Sequence, residues 1–274
     1  MGNRALILDM DNTLYDWSSA YIAGMKSQVD YLTSVLNRKE STILKYFQTV
    51  YKKYGSVEVP RAVNELKIWE ISSLSEEDQH RIQEVAWHIF LEAFDTNLHL
   101  YPGVRETLQW AKNQQILIFG FSDSFAYWIN RRLAVLDICV CFERVFAQNN
   151  IPICLCDPVG KTDLLEIMVP MDASDLKPNT AVIECIAHQY KLSKSQIYMV
   201  GDDLAKDVRA AQVGGIHDIW AKYGRHSKAE DRHILSAVTP WTRDYLNSLH
   251  QIRKSVAPSY CIQSFEEIKT ILSP

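Results

Sequence analysis

At 274 residues the chain exceeds a typical single domain and has the length for a core domain with an insert. Its 47% hydrophobic and 23% charged residues give an ordinary globular balance, and a net charge of −4 argues against gripping a nucleic-acid backbone by bulk charge. No apolar run approaches the ~18 residues of a membrane span, and Met1-Gly2-Asn3-Arg4 leads straight into a strand without a signal peptide or a myristoylation signal, so the expected compartment is the cytoplasm, with neither membrane nor nucleic acid as partner.

Ala5-Leu6-Ile7-Leu8 lacks in/out alternation, the pattern of a strand buried on both faces in a parallel sheet. It runs into Asp9-Met10-Asp11-Asn12-Thr13-Leu14. Ligands of open α/β sheets bind outside the carboxyl ends of the strands, so Asp9 and Asp11 project into a site mouth. Two carboxylates this close repel unless one takes a proton or a cation lies between them. Mg²⁺, a hard cation with oxygen ligands, is the economical partner. One acid then serves as ligand and nucleophile, the other as acid/base. Taken alone, the stretch also reads as an Asp-rich turn closed by Asx-type hydrogen bonds.

After Tyr15 the periodicity becomes helical. Ser18 or Ser19 caps a helix running to about residue 37, and a second runs from Glu40 to Tyr54, stopped by Gly55. Val59-Pro60 opens a third, and Ser75-x-x-Asp78 caps a fourth that runs to about Phe94. Four helices without a strand form a lid-like module. Tyr54, Arg61 and Asn64 lie where its loops reach toward a site; Lys52, Lys53, Arg61 and Lys67 otherwise read as solvated faces.

A helix at 104–113 precedes a second buried strand at 116–121, which ends at Ser122-Asp123-Ser124. A strand-end hydroxyl donates well to a phosphate oxygen. Asp123, which a phosphate dianion would repel, is expected to point away. Alone, the tripeptide is equally a turn or a helix cap. Residues 143–147 suggest a short strand. The following 148–175 read as an insertion or long loop, in which Gly160-Lys161-Thr162 looks like the end of a P-loop but has Leu155 where the motif needs glycine. Cys139-x-Cys141, Cys154-x-Cys156, Cys185 and Cys261 read as reduced thiols rather than a zinc site. Lys177-Pro178-Asn179 opens a helix at 180–190. Gln196 to Asp203 is a third buried strand ending in acids, with Asp207 about one helical turn further on. A strand at 216–221, a polar helical stretch to 253, an edge strand at 259–262 and a helix at 265–272 complete the chain. Arg225, His226 and His233 read as surface residues.

Four strand ends thus carry chemistry in a fixed order. Asp9-Met10-Asp11-Asn12-Thr13-Leu14, Ser122, Lys177-Pro178, and Gly201-Asp202 with Asp207 resemble the four motifs of the haloacid dehalogenase-like (HAD) superfamily. The resemblance covers about 5–15 and 101–224. It implies an α/β fold: a Rossmann-like parallel-sheet core, here 1–15 and 100–274, with an α-helical cap at 16–99 inserted after the first motif. It also implies a Mg²⁺-dependent phosphatase acting on a small-molecule phosphate ester. Asp9 would be the nucleophile, forming an aspartyl-phosphate, and Asp11 the acid/base. Ser122, Asp123 and Lys177 make up the phosphate-binding set; the spacing from Lys177 to Asp202 suits the family layout, which favours Lys177 over Lys161 as the site cation. Mg²⁺ would be held by Asp9, Asp202 and Asp11, the last through its backbone carbonyl. Asp203 and Asp207 would stand just outside it, with Asp207 orienting Lys177 or a water. The family often has Asn or Gly where this chain has Asp123. Asp11 sets the chain apart from the family's dehalogenases and phosphonatases, which lack that acid. A phosphomutase keeps all four motifs and remains an alternative. A regulatory binding protein on the same scaffold is disfavoured, since it has no reason to keep repelling acids together.

Overall fold

The structure, a computed structural model, describes residues 4–149, 166–225 and 232–273. Seven strands form one parallel sheet: β1 (Ala5–Leu8), β2 (Leu117–Phe125), β3 (Arg144–Gln148), β4 (Met168–Met171), β5 (Ile197–Gly201), β6 (His217–Ala221) and β7 (Tyr260–Ile262). Their order is β4-β3-β2-β1-β5-β6-β7. β1 is central, and Leu8 is level with Gly120 of β2 and Val200 of β5. That register brings the residues after β1, β2 and β5 to one edge. The chain reverses its direction of strand addition at this point, which is where α/β sheets open a crevice.

All four β1 side chains are fully buried. Leu6 and Leu8 face one hydrophobic cluster with α4 (Val104–Asn113), α5 (Ala126–Leu136) and α10 (Ile268–Leu272). Ala5 and Ile7 face the other, with α6 (Ala181–Gln189) and α7 (Arg209–Gly214). Each such Leu or Ile contributes roughly 1.5–3 kcal/mol, so this short strand is held firmly enough to serve as the reference for the site.

The helical cap between β1 and β2 consists of α1 (Trp17–Leu36), α2 (Glu40–Tyr54) and α3 (Glu76–Asn97). Asp16, not Ser18 or Ser19, caps α1 by accepting the Ser19 N–H at 2.9 Å. Gly55 ends α2 in the left-handed region at φ 69°, and Ser75 caps α3 as expected. The helix expected from Val59-Pro60 does not form. The segment instead has two short 3-10 turns, Ala62–Glu65 and Trp69–Ile71. Its apolar residues are anchored singly: Val59, Val63, Leu66 and Trp69 are buried, and Trp69 Nε1 donates to the Val63 carbonyl at 2.6 Å.

Two further expectations change. β2 continues through Ser122-Asp123-Ser124 to Phe125. The supposed loop at 148–175 contains the edge strand β4, whose Pro170 hides it from sequence reading; proline is tolerated in strands chiefly at an edge. Gly160-Lys161-Thr162, Cys154 and Cys156 lie outside the described residues. In the C-terminal part, α8 (Arg232–Val238) packs on α2, with Gln48 Nε2 donating to the Thr239 carbonyl at 3.4 Å, and α9 (Arg243–Ser255) follows. Among the described residues no helix is long and apolar enough to cross a membrane.

Candidate active site

Asp9 leaves β1 with its N–H bonded to the Val200 carbonyl at 2.9 Å, which fixes its backbone against β5. Its carboxylate is buried and doubly held: Thr13 Oγ1 donates to Oδ2 at 2.8 Å, and Lys177 Nζ donates to Oδ1 at 2.5 Å. The turn that returns Thr13 needs Asn12 in the left-handed region, at φ 59°. Lys177 precedes a cis peptide to Pro178, and its own N–H is fixed by Asp123 Oδ1 at 2.9 Å. Its ammonium also lies 2.7 Å from Asp207 Oδ1. Asp207 sits on a single π-helical turn, Leu204–Val208, folded back onto β5. Only glycine suits position 201, because a Cβ there would fall 2.2 Å from Asp207 Cγ.

Burial and the charge of Asp9 push the Asp207 carboxyl up to about 7, against the pull of Lys177. Burial also raises Asp9, again opposed by Lys177. Burial alone would depress the Lys177 ammonium, but Asp207, Asp9 and Asp123 hold it well above its ordinary value. Carboxylate oxygens of Asp9, Asp202 and Asp207 lie within 4.8 Å of one another. When ionised, three carboxylates and one ammonium leave two negative charges in this cluster, and all the donors are hard oxygens. That donor set fits a divalent cation such as Mg²⁺.

Asp123 and Asp203 turn elsewhere. Asp123 accepts from Lys206 Nζ at 2.8 Å as well as from the Lys177 backbone. Burial works against its ionisation, but Lys177 and Lys206 hold its carboxyl below the usual range. Asp203 caps the π-helical turn through the Ala205 N–H at 2.8 Å and pairs with Arg253. Ser122 is buried at the mouth, its Oγ accepting the Ser124 N–H at 3.1 Å.

Asp11 belongs to a second cluster. Both its oxygens accept from Arg132 Nη1, at 2.8 and 2.9 Å. Arg132, on α5, is 1% exposed, and its Nη2 pairs with Glu58 from the cap loop after α2. Glu58 is heavily bonded: Oε1 accepts from Trp17 Nε1 at 2.8 Å, Oε2 from Ser124 Oγ at 2.5 Å, and its backbone carbonyl from Trp128 Nε1 at 2.7 Å. Burial pushes Asp11 up to about 6; Arg132 opposes this and Glu58 adds to it.

Residues 176–252 match the family model described as HAD-hydrolase-like. A phosphoglycolate phosphatase of Nitrosococcus oceani is 24% identical over 158 residues, which are 56% of this chain and 60% of that protein. The chain therefore spans about three fifths of this curated relative's length. Over residues 176–252, which hold Lys177, Asp202 and Asp207, the chain is similar to HAD-like hydrolases. The HAD fold extends over its full length. A HAD phosphatase from Thermococcus onnurineus superimposes with a TM-score of 0.58 at 15% identity, covering 98% of both chains. The putative HAD-hydrolase YfnB of Bacillus subtilis, solved bound to magnesium, gives 0.54 at 13% identity over 100% of both.

For this HAD-like chain, sequence reasoning located Asp9, Asp11, Ser122, Lys177, Asp202 and Asp207 at one sheet edge but missed Arg132 and Glu58. A signal for Arg132 existed: Ile129, Arg132, Leu133 and Leu136 share one helical face, so the arginine interrupts an apolar stripe. Glu58 carried no comparable signal. Tyr54 and Arg61, chosen as cap residues near the site, bond instead to Glu65 and Glu84 within the cap.

Proposed function

We propose that this HAD-like protein is a Mg²⁺-dependent phosphatase that hydrolyses a small-molecule phosphate monoester in the cytoplasm, with its cap at 16–99 closing over a core formed by 1–15 and 100–274. One observation carries the reading: Asp9 and Asp11, separated by Met10, have different counter-ions. Lys177 and Thr13 present Asp9 as a fixed, charged nucleophile. Asp11 shares the guanidinium of Arg132 with Glu58, and burial pushes its carboxyl up to about 6 against the pull of Arg132, which suits an acid.

Asp9 attacks phosphorus, and its new O–P bond forms as the bond to the leaving oxygen breaks. Asp11 gives its proton to that oxygen. It then takes a proton from a water that attacks the aspartyl-phosphate, releasing phosphate and restoring Asp9. Ser122 and Lys177 hold the phosphoryl oxygens, and Asp207 and Asp123 fix Lys177 at its ammonium and its backbone. Asp9, Asp202 and the Asp11 carbonyl would hold Mg²⁺, which when bound offsets phosphoryl charge. Loss of one such contact costs ~100-fold or more in rate. The names of the Nitrosococcus and Thermococcus proteins support phosphate-ester chemistry.

The test is phosphate release from an aryl phosphate and a panel of small esters, with Mg²⁺ and with chelator, for wild type and Asp9→Asn. Metal-dependent release that the variant lacks supports the reading. Interconversion of sugar phosphates without release points to a mutase, and folded protein silent on every ester overturns the phosphatase.

A further inference from the structure

We propose that Glu58 is a specificity-determining residue: it restricts the leaving group to an uncharged one, whose single hydrogen-bond acceptor enters the aromatic cavity between cap and core. The inference rests on the phosphatase reading and names the substrate class for the same site.

The first support is charge. Glu58 brings a second carboxylate to the leaving-group side of the acid, through its contact with the arginine that holds Asp11. Three side-chain donors, from Trp17, Ser124 and Arg132, fix its carboxylate, and Trp128 fixes its backbone. Its side chain is 11% exposed. A group bonded this fully stays in place when a ligand arrives. Arg132 is already divided between two carboxylates and the Ser124 hydroxyl, 3.2 Å away. An anionic leaving group would enter a site whose cation is already matched or exceeded by acids, and like charge at close range rejects it.

The second support is a cavity beside that trio. Glu58 and Arg132 line it together with Trp87, Phe90, Phe94 and Trp128. Its volume is about 10 Å³, room for one water-sized group. Trp87 Nε1 and Arg132 Nε, on two of these lining residues, are buried donors without a hydrogen-bond partner. Buried donors call for an acceptor. The space suits one oxygen on a short arm, such as a carbonyl, and leaves no room for the further hydroxyls of a polyol, which would lose their water.

The decisive pair of probes is 2-phosphoglycolate and its primary amide, nearly identical in shape and different in charge. We expect kcat/KM of the Mg²⁺-loaded wild type to favour the amide by roughly tenfold or more. E58Q, which keeps the size of the side chain, should remove most of that preference by raising turnover of the carboxylate relative to the amide. W87F should lower kcat/KM for the amide roughly 3- to 10-fold, mainly through KM. Preference of the wild type for the carboxylate, or the same ratio in E58Q, overturns the proposal. Should E58Q fail to fold, the wild-type ratio and W87F decide. If neither ester turns over, the phosphatase reading fails only where the whole panel of esters is silent too. Calorimetric affinities of Asp9→Asn for the two esters then test the specificity by itself: tighter binding of the amide supports it, and equal, reversed or no binding of either overturns it.

Discussion

Asp9 and Asp11 flank a fully buried methionine, yet each answers to a different cation from a different part of the molecule. The Asp9 side is built within the core. Lys177 comes from the segment before α6, Asp207 from the turn after β5, and Thr13 from the loop that follows β1. The Asp11 side joins two layers: Arg132 stands on the core helix α5, and Glu58 hangs from the cap. The core cluster is therefore complete whatever the cap does, whereas the acid's surroundings are complete only with the cap in place. On the proposed mechanism the nucleophile is set by core residues alone and the acid by core and cap together, which would tie proton transfer to the cap's position over the site.

Substitutions can break this contrast. The largest effect is expected for Asp9→Asn. The amide retains the bond from Thr13 but not the nucleophile, so turnover of any ester should fall by ~1,000-fold or more while circular dichroism stays that of the wild type. Lys177→Met should follow. It strands Asp9 and Asp207 as buried carboxylates and should cost about 3–5 kcal/mol of stability in metal-free protein, read by urea unfolding. Its effect should leave the cap's protease resistance intact. Arg132→Met should cost somewhat less, about 3 kcal/mol, because Asp11 and Glu58 are 20% and 11% exposed at their side chains against 9% and 2% for Asp9 and Asp207. Unlike Lys177→Met, it should expose the loop at 55–75 to proteolysis. Identical protease patterns for the two variants would erase the distinction between a core cluster and a bridging one.

The core side was legible in the sequence for the same reason that it is independent of the cap. Strand ends carry short motifs in chain order, and parallel pairing of β2, β1 and β5 brings them together with no further information. Asp9 was placed by its position at a buried strand's end, and Lys177 and Asp207 by their resemblance to the HAD motifs. Glu58 and Arg132 are 74 residues apart, and they meet where Trp128 of α5 packs on Trp87, Phe90 and Phe94 of α3, which no local pattern encodes. Pro170 concealed an edge strand, and the turns around Val63 and Trp69 replaced a helix because single anchors, rather than an amphipathic face, organise that loop. The docking of α8 on α2 was equally silent, since it depends on how a C-terminal helix returns to the cap.

The smallest effect is the sharpest test of the bridge. Trp128 Nε1 donates to the Glu58 carbonyl at 2.7 Å, while its ring packs edge-on against Trp87 at 5.9 Å and Phe90 at 6.2 Å. Trp128→Phe keeps most of the packing and removes the hydrogen bond, for an expected loss of about 1 kcal/mol. Ser75→Ala removes the cap of α3 and should cost about the same. Ser75 stands at the start of α3, at the far end of the loop from Glu58, so the two variants match in stability and differ in place. If Glu58 holds the cap on Arg132, Trp128→Phe should raise KM and speed cleavage within 55–62, while Ser75→Ala changes neither beyond its effect on global unfolding. Equal behaviour of the two would mean that the bond from Trp128 adds only to overall stability, and that Arg132 and Ser124 alone keep Glu58 against the core.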